Sequence, residues 1–215
     1  MSGSTHKTLP GPQHGILLAE TDDPELAHRL QSGAFPGVTS NHHLHAMAAL
    51  AVSLAEQLEF GREYARRTVE NARALGQALH DRGFDVLAAD LGFTRSHTLA
   101  VRVVREGGGA EVARRLADAG VIANKNLLPG DRSPKQPGGV RLGTPEVTRV
   151  GMGPREMAEI AELFDALLHR GRPIDEVRAQ AAELKRGFTT LRYCFAAGEA
   201  AYRYYDLVGR EPGTP

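Results

Sequence analysis

The feature that most limits the fold is a helix-forming stretch from about residue 41 to 82. Leu44, Met47, Ala48, Ala51, Val52 and Ala55 recur at mixed three- and four-residue spacing, which predicts an apolar helical stripe. Tyr64, Val69, Ala72, Leu75, Ala78 and Leu79 repeat the pattern, and Gly83 supplies a stop. Glu59-Phe60-Gly61 predicts a break, so the stretch is expected as helix in two pieces. A rod of this length separates two textures of sequence and is expected to be the spine between two domains.

Ahead of it, Gly15 to Glu20 reads as a buried strand. Asp23-Pro24 opens a short helix that Gly33 ends, and Phe35-Pro36-Gly37 is a turn. Behind it the pattern alternates. Strands are expected at Phe84–Ala88, His97–Val103, Val121–Ala123 and Val140–Leu142. A Gly107–Gly109 loop precedes a helix from Ala110 to Ala119, and a Pro/Gly-rich loop runs from Pro129 to Gly139. An amphipathic helix is predicted over Pro154–His169, another from near Pro173, and an apolar, aromatic helix over Tyr193–Tyr205. Glu211–Pro215 reads as a frayed end. This is an α+β unit, a small sheet with helices on one face.

Charge excludes some functions. Lys+Arg and Asp+Glu both number 26, so no basic field points to nucleic acid or to an anionic membrane. Tryptophan is absent, which removes the usual stacking platform for single-stranded nucleic acid. The single cysteine, Cys194, rules out an intrachain disulfide and fits a reducing compartment. With no apolar leader and no membrane-length run, a soluble cytoplasmic protein is expected.

Four strings carry chemistry. Ser4-Thr5-His6-Lys7-Thr8-Leu9-Pro10-Gly11-Pro12 places a lysine between hydroxyl residues, a histidine and a rigid turn. In Gly138-Gly139-Val140-Arg141-Leu142-Gly143-Thr144-Pro145, an arginine inside an apolar strand is costly unless it meets an anion, and its fork suits a carboxylate. The third is Gly120-Val121-Ile122-Ala123-Asn124-Lys125-Asn126-Leu127-Leu128-Pro129. The fourth is Phe35-Pro36-Gly37-Val38-Thr39-Ser40-Asn41-His42-His43, where hydroxyls, an amide and a helix start could hold a phosphate. His42, His43 and His45 lack a convincing third ligand set, so no metal site is expected there. His97 receives no role.

Taken in order, these strings resemble the glycine (serine) hydroxymethyltransferase family, with motifs T-T-T-H-K-T-L-x-G-P, F-P-G-x-x-G-G-P, G-x-x-x-N-K-N-x-x-P and G-I-R-x-G-T-P. The resemblance runs from Ser4 to about Gly187. It implies an α/β fold of PLP fold type I, aspartate aminotransferase-like, of which this chain would hold the C-terminal part of the large domain and a complete small α+β domain. The implied layout is 1–60 for the cofactor-binding part, 61–83 for the connecting helix, 84–190 for the small domain and 191–215 for an extension.

Residue by residue, the resemblance implies that Lys7 carries pyridoxal 5'-phosphate as a Schiff base, with Ser4 and His6 as catalytic and cofactor contacts. Thr39, Ser40 and Asn41 stand where the family's glycine pair binds the cofactor phosphate of a neighbouring subunit. Arg141 would bind the substrate α-carboxylate, and Asn126 the pterin of tetrahydrofolate or another acceptor. The sequence departs from the family at Gln13, at Thr39–Asn41 and over Ser133–Gly138, which suggests a specialised branch.

The family's earlier elements are absent, including the aspartate on the pyridine nitrogen, the ring-stacking histidine and a proton-handling glutamate; only six residues precede Lys7. The expectation is a split enzyme: a C-terminal subunit active only with a separately encoded N-terminal half, assembled as a dimer of heterodimers. Its reaction would make or cleave the Cα–Cβ bond of a β-hydroxy-α-amino acid of serine or 2-methylserine type, with folate as the carrier. The alternatives are a folate-independent threonine aldolase or transaldolase with an aldehyde acceptor, and a non-catalytic partner of a full-length homologue.

Overall fold

The computed structural model describes residues 1–202, and the final expected segment, Glu211–Pro215, lies outside the described residues. Two compact units divide the chain, Met1–Arg62 and Glu63–Pro215. No helix among the described residues is long and apolar enough to cross a membrane.

The first unit begins with an antiparallel hairpin, β1 (Ser2–His6) and β2 (Pro10–Leu17). Strand β2 therefore starts earlier than the run at Gly15 suggested, because its first half pairs with the lysine segment. Helix α1 (Pro24–Ser32) forms as expected, with the Asp23 carboxylate accepting from the N–H groups of Glu25 and Leu26. A π-helical turn, Gly33–Val38, follows.

Helix α2 (Leu44–His80) then runs unbroken for 37 residues. The expected break at Glu59-Phe60-Gly61 is absent. A lone glycine weakens a helix by only about 1 kcal/mol against alanine, less than long flanking stretches supply.

The hydrophobic core of the described residues lies in the second unit. Strands β3 (Asp85–Val86), β4 (Thr98–Arg102), β5 (Asn124–Asn126) and β6 (Gly139–Gly143) form one antiparallel sheet in the order β3-β4-β6-β5. Period-two alternation sends Leu99 and Val101 of β4, and Val140 and Leu142 of β6, into the core. They meet Leu75 and Leu79 of α2 and the buried faces of α3 (Gly109–Asp118) and α5 (Pro154–Leu168). Helix α4 (Pro145–Arg149) follows β6 directly, and α6 (Ile174–Arg186) closes the helical layer.

Three expectations are corrected. The strand after α3 is Asn124–Asn126 rather than Val121–Ala123. The Val121 N–H closes on the Leu116 carbonyl as part of the helix end, and Ile122 is left exposed. Phe84 likewise donates to Leu79, which shortens the Phe84–Ala88 strand to two residues. The described part of Tyr193–Tyr205 is not helical; it forms turns around a bridge between Thr190 and Ala200.

The first unit is built differently. Ala46 is its only buried hydrophobic residue, and α1 buries none. Leu44, Met47, Val52, Leu54 and Leu58 of α2 are exposed, Leu58 at 91%.

Candidate active site

Lys7 is the first residue of the loop between β1 and β2, and its side chain is exposed. The hairpin register shifts between Ser4 and His6, and Thr5 fills the gap. Thr5 is fully buried. Its Oγ1 accepts from the His14 N–H at 3.2 Å and lies 2.6 Å from the Pro12 carbonyl and 2.9 Å from that of His14, either of which can accept its proton. This side chain replaces a missing rung of the ladder, so the lysine loop leaves a fixed base. Gly11 must be glycine for that closure, since a Cβ there would stand 2.7 Å from the Thr5 carbonyl. His6 turns its Nδ1 to the His14 carbonyl at 3.2 Å.

The Thr39–Asn41 segment also belongs to the first unit. The Thr39 hydroxyl donates to the Ala34 carbonyl at 2.6 Å, so its proton is engaged within the turn. Asn41 Oδ1 accepts from the His42 N–H at 2.8 Å, which leaves the amide NH2 as a donor. Ser40 is exposed. The N–H groups of Leu44 and His45, at the start of α2, follow directly, whereas those of Ala46 and Met47 already donate to the His43 carbonyl. This donor set fits an anion. The segment and the lysine hairpin are joined through an imidazole pair, with His14 Nε2 2.8 Å from His43 Nδ1.

The other expected residues fall in the second unit. Arg141 and Asn126 occupy neighbouring strands: Arg141 pairs with Asn124 and Ala100, and Asn126 with Gly139. The burial expected of Arg141 is corrected. Alternation along β6 buries Val140 and Leu142 and turns Arg141 outward, exposed. Among the described residues it forms no ion pair, which leaves its fork open to an external carboxylate. Asn126 is half-buried, and its amide donates to the Leu127 carbonyl at 2.9 Å. The His97 carbonyl accepts from the Thr144 N–H beyond the end of β6.

Sequence reasoning missed Asp131. Its Oδ2 accepts from the N–H groups of Leu128 at 2.8 Å and Gly138 at 2.7 Å, stapling both ends of the loop between Asn126 and β6. These two backbone bonds, the Leu128 bond first, hold its carboxyl below the usual aspartate range. Gly138 gives the carboxylate its room, since a Cβ there would lie 2.6 Å from Asp131 Oδ1. The detectable signal was an aspartate early in a Pro/Gly-rich loop, a residue type that bonds nearby backbone N–H groups.

Comparison with known proteins agrees with the order of these motifs. The family profile described as serine hydroxymethyltransferase matches residues 1–164. A serine hydroxymethyltransferase of Picrophilus torridus is 50% identical over 197 residues, which are 91% of this chain and 45% of that protein. One from Methanopyrus kandleri is 51% identical over 210 residues, 96% of this chain and 48% of that protein. The crystal structure of an L-threonine transaldolase from Pseudomonas fluorescens, in its internal aldimine state, superposes with a TM-score of 0.81. It is 30% identical, and the match covers 91% of this chain and 44% of that one. The architecture is thus α/β, of PLP fold type I, and the chain spans about half the length of the curated relatives it matches. With most of its length matched, the chain belongs to the serine hydroxymethyltransferase family.

Proposed function

We propose that this chain is the lysine-bearing C-terminal half of a pyridoxal phosphate-dependent hydroxymethyltransferase, completed by a separately encoded N-terminal half. The observation that carries this reading is the first unit. It holds the residues with the chemistry but buries only one hydrophobic side chain, while its half of α2 runs from Ala46 to Ala55 with no charged residue. A helix apolar on every side belongs inside a larger core.

When bound, the cofactor supplies an electron sink for bond making and breaking at Cα. Lys7 Nζ would hold it, and Ser40, the Asn41 amide and the start of α2 would face the phosphate of a neighbouring subunit's cofactor. Ser4 and His6, on the strand that leads into Lys7, would contact the ring of the cofactor held by Lys7, or the substrate. Arg141 receives the substrate carboxylate through paired N–H donors, which fixes the orientation of the Cα–Cβ bond. Asn126 faces the acceptor. The substrate class is a β-hydroxy-α-amino acid of serine or 2-methylserine type with a folate-borne carbon. The likeness to a threonine transaldolase favours one further reading, an aldehyde acceptor in place of folate.

The test is visible absorbance with pyridoxal phosphate, on this chain alone and on the chain co-produced with the polypeptide encoded beside its gene. A band that needs both polypeptides and disappears in Lys7→Ala is the expected result. A band with this chain alone refutes the need for a second half. Its absence from both samples refutes Lys7 as the cofactor residue and leaves a non-catalytic partner as the better description.

A further inference from the structure

Strand β6 presents a single side chain on its outward face, that of Arg141. The neighbours two residues before and two after it are Gly139 and Gly143, and its partner on β4 is Ala100. A second arginine on the same face, Arg102, is already engaged, with its Nε 3.4 Å from the Asp85 carboxylate and its Nη2 3.5 Å from the Pro129 carbonyl. The Leu128 side chain covers the row at Gly139, since a Cβ there would lie 2.5 Å from Leu128 Cγ. On the remaining side, directly opposite Arg141 on the edge strand β5, is Asn124. Residues paired in this way carry their Cβ atoms about 5 Å apart on one face of the sheet. Both side chains are exposed, no hydrogen bond joins them, and among the described residues the Asn124 amide has no partner. Asn126, one row along, has given its amide to the Leu127 carbonyl.

We propose that Asn124 is a second determinant of carboxylate recognition, donating from its amide NH2 to the same substrate carboxylate that Arg141 holds. The inference rests on the reading of Arg141 as the carboxylate residue. A carboxylate seated on a guanidinium fork uses one lone pair of each oxygen. The remaining lone pairs need a donor of their own once water is excluded. Asn124 is placed for that bond, since it stands across from the fork on a separate strand. Arg141 alone holds the carboxylate at the end of a long side chain that can swing. Donors from two strands hold it at two points and fix the direction of the bond to Cα.

The residue type fits the place. An aspartate opposite Arg141 would pair with it across the sheet and occupy the donors that the substrate needs. A lysine would set two like charges directly opposite each other, which destabilises the pairing whenever the substrate is absent. Asparagine supplies N–H donors without a charge, so it neither closes the fork nor repels it.

Two measurements test the assignment. The first uses the full chain by itself and follows the Arg141 Nε–H signal by proton–nitrogen NMR, identified by its loss in Arg141→Lys. Sodium acetate is the probe, compared with sodium chloride at the same ionic strength. Acetate should move the signal in the wild type, and in Asn124→Ala the affinity should fall about tenfold, the size of one hydrogen bond to a charged group. Asn124→Asp should shift the signal before any acetate is added and abolish the response. The second measurement is steady-state kinetics of the two-polypeptide assembly. Asn124→Ala should raise the KM for the amino acid about tenfold and leave kcat within about twofold, because the carboxylate takes no part in the bond change. A merely structural role for an exposed edge residue would produce no such split. An Arg141 signal indifferent to Asn124→Asp overturns the juxtaposition. An acetate response or a KM that Asn124→Ala leaves unchanged overturns the role of Asn124 while Arg141 keeps its own. A wild-type signal that acetate moves no more than chloride does, or an unchanged KM in Arg141→Lys, overturns the reading of Arg141, and the role of Asn124 falls with it.

Discussion

Replacing Asn71 by alanine should cost the second unit about 1–3 kcal/mol, although Asn71 is in none of the strings that carry chemistry. Asn71 is fully buried on α2, and its Nδ2 donates to Thr148 Oγ1 and to the Met152 carbonyl, each at 2.9 Å. Thr148 passes its own proton to the Thr144 carbonyl at 2.7 Å, and Thr144 donates to the Thr68 carbonyl at 2.8 Å. This relay ties α2 to α4, immediately beyond the strand that bears Arg141. Two lost bonds contribute about 1–3 kcal/mol, and the space left by the amide adds about 1. Asn71 Oδ1 has no partner, so removing it returns about 1 kcal/mol of desolvation cost. Thr148→Val, which keeps the shape, should cost about 1–2 kcal/mol, and the pair should be coupled by at least about 0.5 kcal/mol. Urea unfolding of the chain followed by far-ultraviolet circular dichroism measures all three variants. A loss below about 1 kcal/mol for Asn71→Ala, or strict additivity in the double variant, would refute the relay.

Three other outcomes are expected. Arg141→Lys should raise the KM for the amino acid about ten- to a hundredfold in the assembled enzyme, since an ammonium cannot reproduce two parallel donors; an unchanged KM would remove Arg141 from the carboxylate site. Asp131 should stabilise its loop at every pH above the ordinary aspartate range. That contribution should fade only as pH falls through its lowered folded value, so protection of the Leu128 and Gly138 amides should survive mild acid and Asp131→Asn should lose it at neutral pH. Met47→Glu and Leu54→Glu, both at exposed positions, should leave the urea transition of the second unit unchanged and abolish co-purification with the proposed N-terminal half; intact co-purification would refute this face as the one that half covers.

What the sequence made legible follows from how local the signals are. Helix α1 was readable because Asp23-Pro24 and Gly33 mark its ends, and α5 because its apolar period is strong. Strands β4 and β6 were readable from alternation, and the lysine and arginine strings from their similarity to a family. Pairing was the harder part. Nothing in Ser2–His6 announces a strand; it becomes one because β2 folds back on it, with Thr5 repairing the register. Asn124–Asn126 is a strand only because β6 offers an edge, and its polar composition argues locally for a turn. The outward face of Arg141 hinges on the same issue, since register decides which residues are buried and a run of apolar neighbours does not.

Helix α2 changes character along its length. From Glu63 onward its exposed side is laced with ion pairs, Arg66 and Arg67 with Glu63 and Glu70, and the Arg66 and Arg67 bonds hold the Glu63 carboxyl down at about 2. Exposed pairs of this kind add little stability but make a durable solvent face. From Ala46 to Ala55 the same helix has no charge at all and leaves Met47, Val52 and Leu54 uncovered. A single helix does not change solvents without cause. The charged segment is finished as it stands, with Leu75 and Leu79 already in a core, whereas the uncharged segment leaves apolar side chains exposed. Lys7 and the Thr39–Asn41 segment lie in the same unit as this uncharged segment, so under the proposed function a second polypeptide that covers it would complete the core and the cofactor site together.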